Sequence, residues 1–256
     1  MVIDLNGDVG EAFGIYQAGN DEALMPFLTS ANIACGFHAG DPQTMDRTVA
    51  LAKRHGVAVG AHPGYADLRG FGRRPMEASP AEVEADVLYQ IASLAGFARA
   101  HGTELIHVKA HGALYNQAAT DPSLAGAIAR AVARFSRELV LVGLATSRTM
   151  REAAEAEKVR FAGEAFADRV YNPDGMLQSR KVVGSVITDP GAVAAQAVTI
   201  ARDDKVKAHD GSEVALHAET LCLHGDHPGA VQIAQAVRQA LEDANIEVRA
   251  LSNRSR

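Results

Sequence analysis

Two short apolar segments carry polar side chains at alternate positions. Val2-Ile3-Asp4-Leu5-Asn6-Gly7-Asp8 places two carboxyls and an amide two residues apart, and Leu105-Ile106-His107-Val108-Lys109-Ala110-His111 does the same with two imidazoles and an ammonium. Side chains on a strand alternate between faces, so Asp4, Asn6 and Asp8 share one face and His107, Lys109 and His111 another. Buried charges are costly unless paired, hydrogen-bonded or bound to metal, so such faces point to a reaction site. Asp8 and the nearby Glu11 have the chemistry of a general base for water or of a metal ligand, or else of a loop turn. His38, His62, His111 and His224 all fall at expected strand ends. An Asp with two or three histidines suits a divalent ion, which makes Asp8, His38, His62 and His111 the metal candidates, although no short HExxH spacing supports one. Lys109, on an inward face between histidines, reads as a buried cation aimed at an anion. Arg73 and Arg74 follow a Gly-Phe-Gly turn and are either a solvated pair or a bidentate grip on phosphate or carboxylate. His107 is either a core histidine or part of the site. His55 and His101 read as helix C-terminal residues before Gly56 and Gly102.

The elements that would position these groups alternate. Strands are expected at Val2–Asp8, Asn32–Phe37, Val57–Ala61, Leu105–Lys109, Leu139–Leu144, Val159–Gly163, Thr220–His224 and Ile246–Leu251. Helices between them open on Asp41-Pro42, Ser79-Pro80, Asp121-Pro122 and Asp189-Pro190, each an N-cap side chain before a proline at the first helical position. In the helix over 80–101, Val83, Val87, Leu88, Ile91, Leu94, Ala95 and Ala98 form one apolar stripe. Repeated strand–helix units predict a parallel sheet, and six or seven of them favour a barrel. Residues 204–218, with Asp210-Gly211 between two β-prone runs, predict a hairpin decorating it. The reading is an α/β fold, a single (β/α) barrel over 1–251 with a frayed polar tail over 252–256. Reactive groups then belong in the loops after the strands, at their carboxyl ends.

Bulk properties narrow the function. The chain has 256 residues, 47% hydrophobic and 22% charged, with net charge −6, which suits a soluble enzyme and argues against a nucleic-acid partner. No apolar run is long enough to span a bilayer, and no secretory signal is visible, so a cytoplasmic location is expected. Cys35 and Cys222 read as reduced core residues. Neither GxGxxG after the first strand nor GxxxxGK[ST] anywhere is present, which disfavours a Rossmann or P-loop enzyme.

The blocks Asp4–Glu11 (DLNGDVGE), Asn32–Pro42 (NIACGFHAGDP), Gly60–Pro63 (GAHP), Gly70–Arg74 (GFGRR), His107–Asn116 (HVKAHGALYN), Glu164–Tyr171 (EAFADRVY) and Cys222–Asp226 (CLHGD) together resemble the LamB/YcsF family, described as the A subunit of bacterial 5-oxoprolinase. Ala110 stands where that family usually has Pro, and Gly64 where it usually has Ser. The resemblance implies an irregular (β/α) barrel of the glycoside hydrolase/deacetylase type. It also implies opening of the 5-oxoproline lactam to glutamate, with ATP (and Mg²⁺) as co-substrate and subunits B and C as partners. On that reading Asp8, Glu11, His38, Lys109 and His111 are the catalytic set. Asn6, His62, Arg73, Arg74, Tyr115, Asp168, Arg169 and His224 would bind substrate or phosphate. Two rival readings are a metal-dependent deacetylase acting on a sugar or small amide without ATP, and a non-catalytic protein that only binds substrate.

Overall fold

In a computed structural model that describes residues 1–223 and 229–252, ten strands and eight α-helices follow one another along the chain. The strands are β1 (Val2–Val9), β2 (Ser30–Ala34), β3 (Ala58–His62), β4 (Leu105–Lys109), β5 (Val140–Leu144), β6 (Arg160–Phe166), β7 (Lys205–Lys207), β8 (Glu213–Ala215), β9 (Thr220–Leu223) and β10 (Glu247–Val248). The helices are α1 (Asp21–Leu24), α2 (Pro42–His55), α3 (Pro80–Ala100), α4 (Gly112–Ala118), α5 (Pro122–Phe135), α6 (Arg148–Ala156), α7 (Pro190–Asp203) and α8 (Ala230–Asp243). Strands β1 to β6 and β9 pair in parallel, and β9 pairs back onto β1, which closes a seven-stranded barrel.

The helices begin where the proline signal puts them. Asp41, Ser79, Asp121 and Asp189 each accept hydrogen bonds from first-turn amides, and Ser79 forms a reciprocal box with Glu82. Helix α2 ends at Gly56, whose φ of 69° is the left-handed cap conformation open to glycine. Along α3, Val83, Val87, Ile91, Leu94 and Ala98 are buried against the barrel. The outward faces of the strands (Ile3 and Leu5, Ile33, Val59, Val108, Leu141) supply the apolar layer between sheet and helices. The antiparallel hairpin β7–β8 lies within 204–218, as its Asp-Gly turn predicts.

Two of the boundaries that differ from expectation do so for a visible reason. Strand β2 stops at Ala34 rather than Phe37, because Gly36 turns the chain with φ of 97° and its amide donates to the Ala39 carbonyl at 2.8 Å. His38 therefore reaches the barrel mouth from a turn, not by strand alternation. The last expected strand shrinks to Glu247–Val248. It pairs only with Val2 and Ile3, before β2 takes up the pairing with β1 at Asn6. Beyond it, Leu251 packs with Val140, Val142 and Ala162 in a small separate apolar cluster. Of the expected tail, residues 253–256 lie outside the described residues, as does the His224 end of the strand expected at Thr220–His224.

The barrel interior is mostly polar on the β1–β4 side. Asp4, Asn6, Asn32, His107 and Lys109 are all buried. Gly60 makes room for this: a Cβ there would lie 2.0 Å from His107 Nε2, in a fixed ring rather than a flexible chain end. Gly60→Ala is expected to destabilise the fold by about 3 kcal/mol, at the upper end for overpacked interiors; its urea midpoint checks this, and an unchanged midpoint would show that the ring can move aside.

Candidate active site

Lys109 is the centre of the inner wall. Its Nζ lies 2.7 Å from Glu164 Oε1 on β6 and 3.0 Å from Asp8 Oδ1 on β1. It also donates to Asn6 Oδ1 at 3.2 Å and to Cys222 Sγ at 3.1 Å. Burial works against the ammonium, but the carboxylates of Asp8 and Glu164 outweigh it and hold the group protonated well above its ordinary range. Burial pushes the Cys222 thiol far up, despite the neighbouring ammonium, so it remains a thiol. Tyr115 faces the same carboxylate, and burial followed by Glu164 drives its phenol well above 10.

Behind Lys109 runs a chain of fixed donors. Asn32 Nδ2 donates to Asn6 Oδ1 at 2.6 Å and to Asp8 Oδ1 at 2.7 Å. Asn32 Oδ1, which can only accept, receives the Nε2–H of His107 at 2.7 Å. Burial lowers His107 to about 3, so it is a neutral, structural imidazole. Asp4 lies deeper and accepts from the hydroxyls of Thr29, Ser30 and Thr220 at 2.6, 2.7 and 2.5 Å. Burial raises its carboxyl to about 6 in spite of those three donors.

Toward the mouth, Glu11, His38, His62 and His111 each offer one ligand atom, and these atoms all lie within 4.8 Å of one another. His38 and His111 stack with ring centroids 3.7 Å apart, and His62 meets both edge-on. Glu11 Oε1 is 3.4 Å from His38 Nε2 and 3.3 Å from His111 Nδ1. Gly10, with φ of 68°, turns Glu11 into this position, and the Gly10 amide donates to Asp21 Oδ2 at 2.8 Å. Asp8 Oδ2 borders the cluster, 3.3 Å from His62 Nε2. Burial lowers His38 and His111 well below 6.5, so both are neutral.

The structure thus brings together Asn6, Asp8, Glu11, His38, His62, Lys109, His111 and Tyr115. It places Arg73 at the rim, with its guanidinium 4.9 Å above the Phe71 ring and its charge felt by His38. Asp168 is buried and acts electrostatically on Cys222, at the edge of the same wall. Two cations are engaged elsewhere. Arg74 Nε donates to both carboxylate oxygens of Asp67 at 3.0 Å. Arg169 is buried and donates to the Gln178 and Ser185 carbonyls, strapping the loop after β6. His224 lies outside the described residues. Glu164 is the principal member that sequence reasoning leaves out. Its signal is the Glu-Ala-Phe alternation on β6, which points it to the same side as Phe166. Ala110 is buried in the apolar layer, where its methyl has no part in the site. At Gly64, a Cβ would lie 2.8 Å from His38 Nδ1.

A model of the LamB/YcsF family matches residues 3–256. The chain belongs to the LamB/YcsF family. Among relatives of this LamB/YcsF chain, the 5-oxoprolinase A subunit of Symbiobacterium thermophilum is 56% identical over 246 residues, covering 96% of this chain and 94% of the relative. The protein of the same name from Bordetella pertussis is 52% identical over 248 residues, covering 97% and 98%. The crystal structure of a lactam utilization protein from Thermus thermophilus superposes with a TM-score of 0.93 at 50% identity, covering 98% of this chain and all of that one (100%). The LamB/YcsF barrel expected from the sequence is therefore the observed one.

Two measurements test this electrostatic arrangement. Lys109→Met leaves Asp8 and Glu164 facing each other without a cation, and removing one partner of a buried pair costs about 3–5 kcal/mol; chemical denaturation at pH 7.5 reads this, and a loss under about 1 kcal/mol would contradict the buried pair. The raised Asp4 carboxyl favours the folded state fully below pH 3.8, and that contribution disappears as pH rises to about 6. From 3.8 to about 6 this amounts to roughly 3 kcal/mol. The stability of Asp4→Asn relative to the parent should therefore rise by about that amount between pH 4 and pH 7, and a pH-independent difference would refute the raised value.

Proposed function

We propose that this chain is the A subunit of an ATP-dependent 5-oxoprolinase, which opens the lactam of 5-oxo-L-proline to L-glutamate with ATP (as its Mg²⁺ complex) converted to ADP and phosphate. The observation that carries this reading is the Asp8–Lys109–Glu164 arrangement beside a histidine cluster at the barrel mouth. It pairs a carboxylate able to take a proton with a fixed cation able to meet an anion, in a family whose relatives bear that name.

An amide carbonyl is a poor electrophile, so the reaction needs activation. Transfer of the terminal phosphoryl group of ATP to the lactam oxygen, with loss of the ring N–H proton, gives an imidate ester and ADP. Water then adds to the former carbonyl carbon, and Asp8 accepts its proton. The carbon–nitrogen bond of the resulting tetrahedral species breaks; the nitrogen takes back the proton held by Asp8 and the proton of the new hydroxyl and leaves as the amine, and the carbon becomes an acyl phosphate. A second water releases phosphate and leaves the glutamate side-chain carboxylate. Lys109, fixed before substrate arrives, stabilises negative charge that develops on oxygen. The Asn6–Asn32–His107 chain keeps Asp8 Oδ1 occupied and so directs Oδ2 to the mouth. Arg73, at the rim, has the charge and the forked donors suited to a phosphate.

The naming of the relatives supports partner proteins, and we assign them as subunits B and C of the same enzyme. The reaction belongs in the cytoplasm, where ATP is available, and among the described residues no helix is long and apolar enough to cross a membrane. A metal-dependent amide hydrolase working without ATP is the second reading, favoured by the Glu11–His38–His62–His111 cluster. ATP dependence separates the two.

In a complex reconstituted with subunits B and C, glutamate release from 5-oxoproline should require ATP. Asp8→Asn and His38→Ala should each lower it by about 10²–10⁴-fold with the far-ultraviolet circular dichroism unchanged. ATP-independent release, or full activity in both variants, would sink the proposal.

A further inference from the structure

The hydrogen bonds at the back of the histidine cluster decide what its front presents. His62 Nδ1 is 2.8 Å from the Lys109 carbonyl, and His111 Nε2 is 2.8 Å from the Phe71 carbonyl. A carbonyl oxygen only accepts, so both of these nitrogens carry the hydrogen. In neutral rings the opposite nitrogens, His62 Nε2 and His111 Nδ1, then present lone pairs. These two nitrogens lie 3.0 Å apart and face each other. Glu11 Oε1 is 3.3 Å from one, and Asp8 Oδ2 is 3.3 Å from the other. Among the described residues, the buried ring nitrogens of His38 make no hydrogen bond. The lone pairs of His62 Nε2 and His111 Nδ1 therefore converge on one point, where Glu11 and His38 also place a ligand atom.

We propose that Glu11, His38, His62 and His111 form a binding site for one divalent transition-metal ion of the zinc class, with Asp8 at its margin. The spacing fits. Bonds of about 2.0–2.1 Å in a tetrahedral site place neighbouring ligand atoms roughly 3.3 Å apart. The neighbouring pairs here, His62–His111, His111–Glu11 and His38–Glu11, measure 3.0, 3.3 and 3.4 Å. The donor set fits as well: imidazoles with one carboxylate suit zinc, cobalt or nickel, whereas magnesium and calcium favour oxygen ligands. The backbone carbonyls behind His62 and His111 fix tautomer and ring orientation, which is the usual support behind a metal-bound histidine.

Glycines hold the rings in place from the other side. A Cβ on Gly72 would lie 2.8 Å from both His111 Cδ2 and His38 Cβ, and Gly72 already has a left-handed φ of 62°. The inference does not depend on the substrate, because metal binding is measured without it.

The experiment is a titration of the full-length, chelator-treated chain with Co²⁺ alone, followed by visible absorption. One Co²⁺ per chain, with the intense bands of low-coordinate cobalt, is expected. Zn²⁺ should displace it and excess Mg²⁺ should not. His62→Ala and Glu11→Gln should weaken Co²⁺ binding by more than the roughly 10–100-fold typical of residues that only support ligands. Zn²⁺ should also raise the melting temperature of the unmutated chain, a reading that needs no variant to fold. Absence of a saturable cobalt spectrum and of any melting shift in the unmutated chain would overturn the site. So would variants that fold and bind Co²⁺ as tightly as the parent.

Discussion

One ammonium group sets the terms for the interior of this barrel. Lys109 is buried, and an isolated charge there would be prohibitively unstable. Its two carboxylate partners come from β1 and β6, so a single nitrogen ties three strands together across the barrel. The attraction is large only because water is excluded, and the same exclusion makes every partner obligatory. Asn6, Asn32 and His107 follow from that requirement. Each uses its remaining hydrogen-bonding capacity to satisfy the next, so the polar wall is a connected network and not a set of independent residues.

The pocket divides into two chemically unlike halves. Around Lys109, positive charge and donors match the acceptors closely. Around Glu11 and the three histidines, acceptors dominate and burial keeps His38 and His111 neutral. The two halves share a strand: the side chain of Lys109 serves the first, and its backbone carbonyl fixes His62 in the second. Asp8 spans the division, with one oxygen on Lys109 and the other toward His62. A carboxylate in that position is held firmly while still directed at the mouth, which is the condition for a base that acts without reorganising.

Much of this is legible in the sequence where alternation governs. Parity along β1 and β4 puts Asp4, Asn6, Asp8, His107 and Lys109 on the correct faces, and the Asp-Pro and Ser-Pro pairs locate four helices. Alternation says nothing about turns. His38 and Glu11 reach the site through left-handed glycines at 36 and 10, and no periodicity encodes that. Charge alone also misleads about cations. Arg74 and Arg169 have the chemistry to grip an anion, but Asp67 and two loop carbonyls already occupy them. Such competition depends on contacts between loops, which a linear reading does not supply. Glu164 escapes such a reading because its alternation neighbours on β6, Ala162 and Phe166, are apolar and do not mark the face.

Strand β1 carries a consequence of another kind. It pairs with β2 over Asn6 to Val9 and with β9 over Asp4 to Gly7, and the hydroxyl of Thr220 reaches Asp4 and Asn6 across more than two hundred positions of chain. During synthesis the chain emerges from its amino end, and β1 must wait for β9 before its inner face is enclosed. The polar wall is therefore among the last parts of the molecule to be sealed from water. Its amino-terminal carboxylates spend most of translation hydrated, and their burial coincides with closure of the barrel. The reactive pocket is in this sense a record of completed synthesis: a chain truncated before residue 220 has most of the pocket's residues and cannot close the pocket around them.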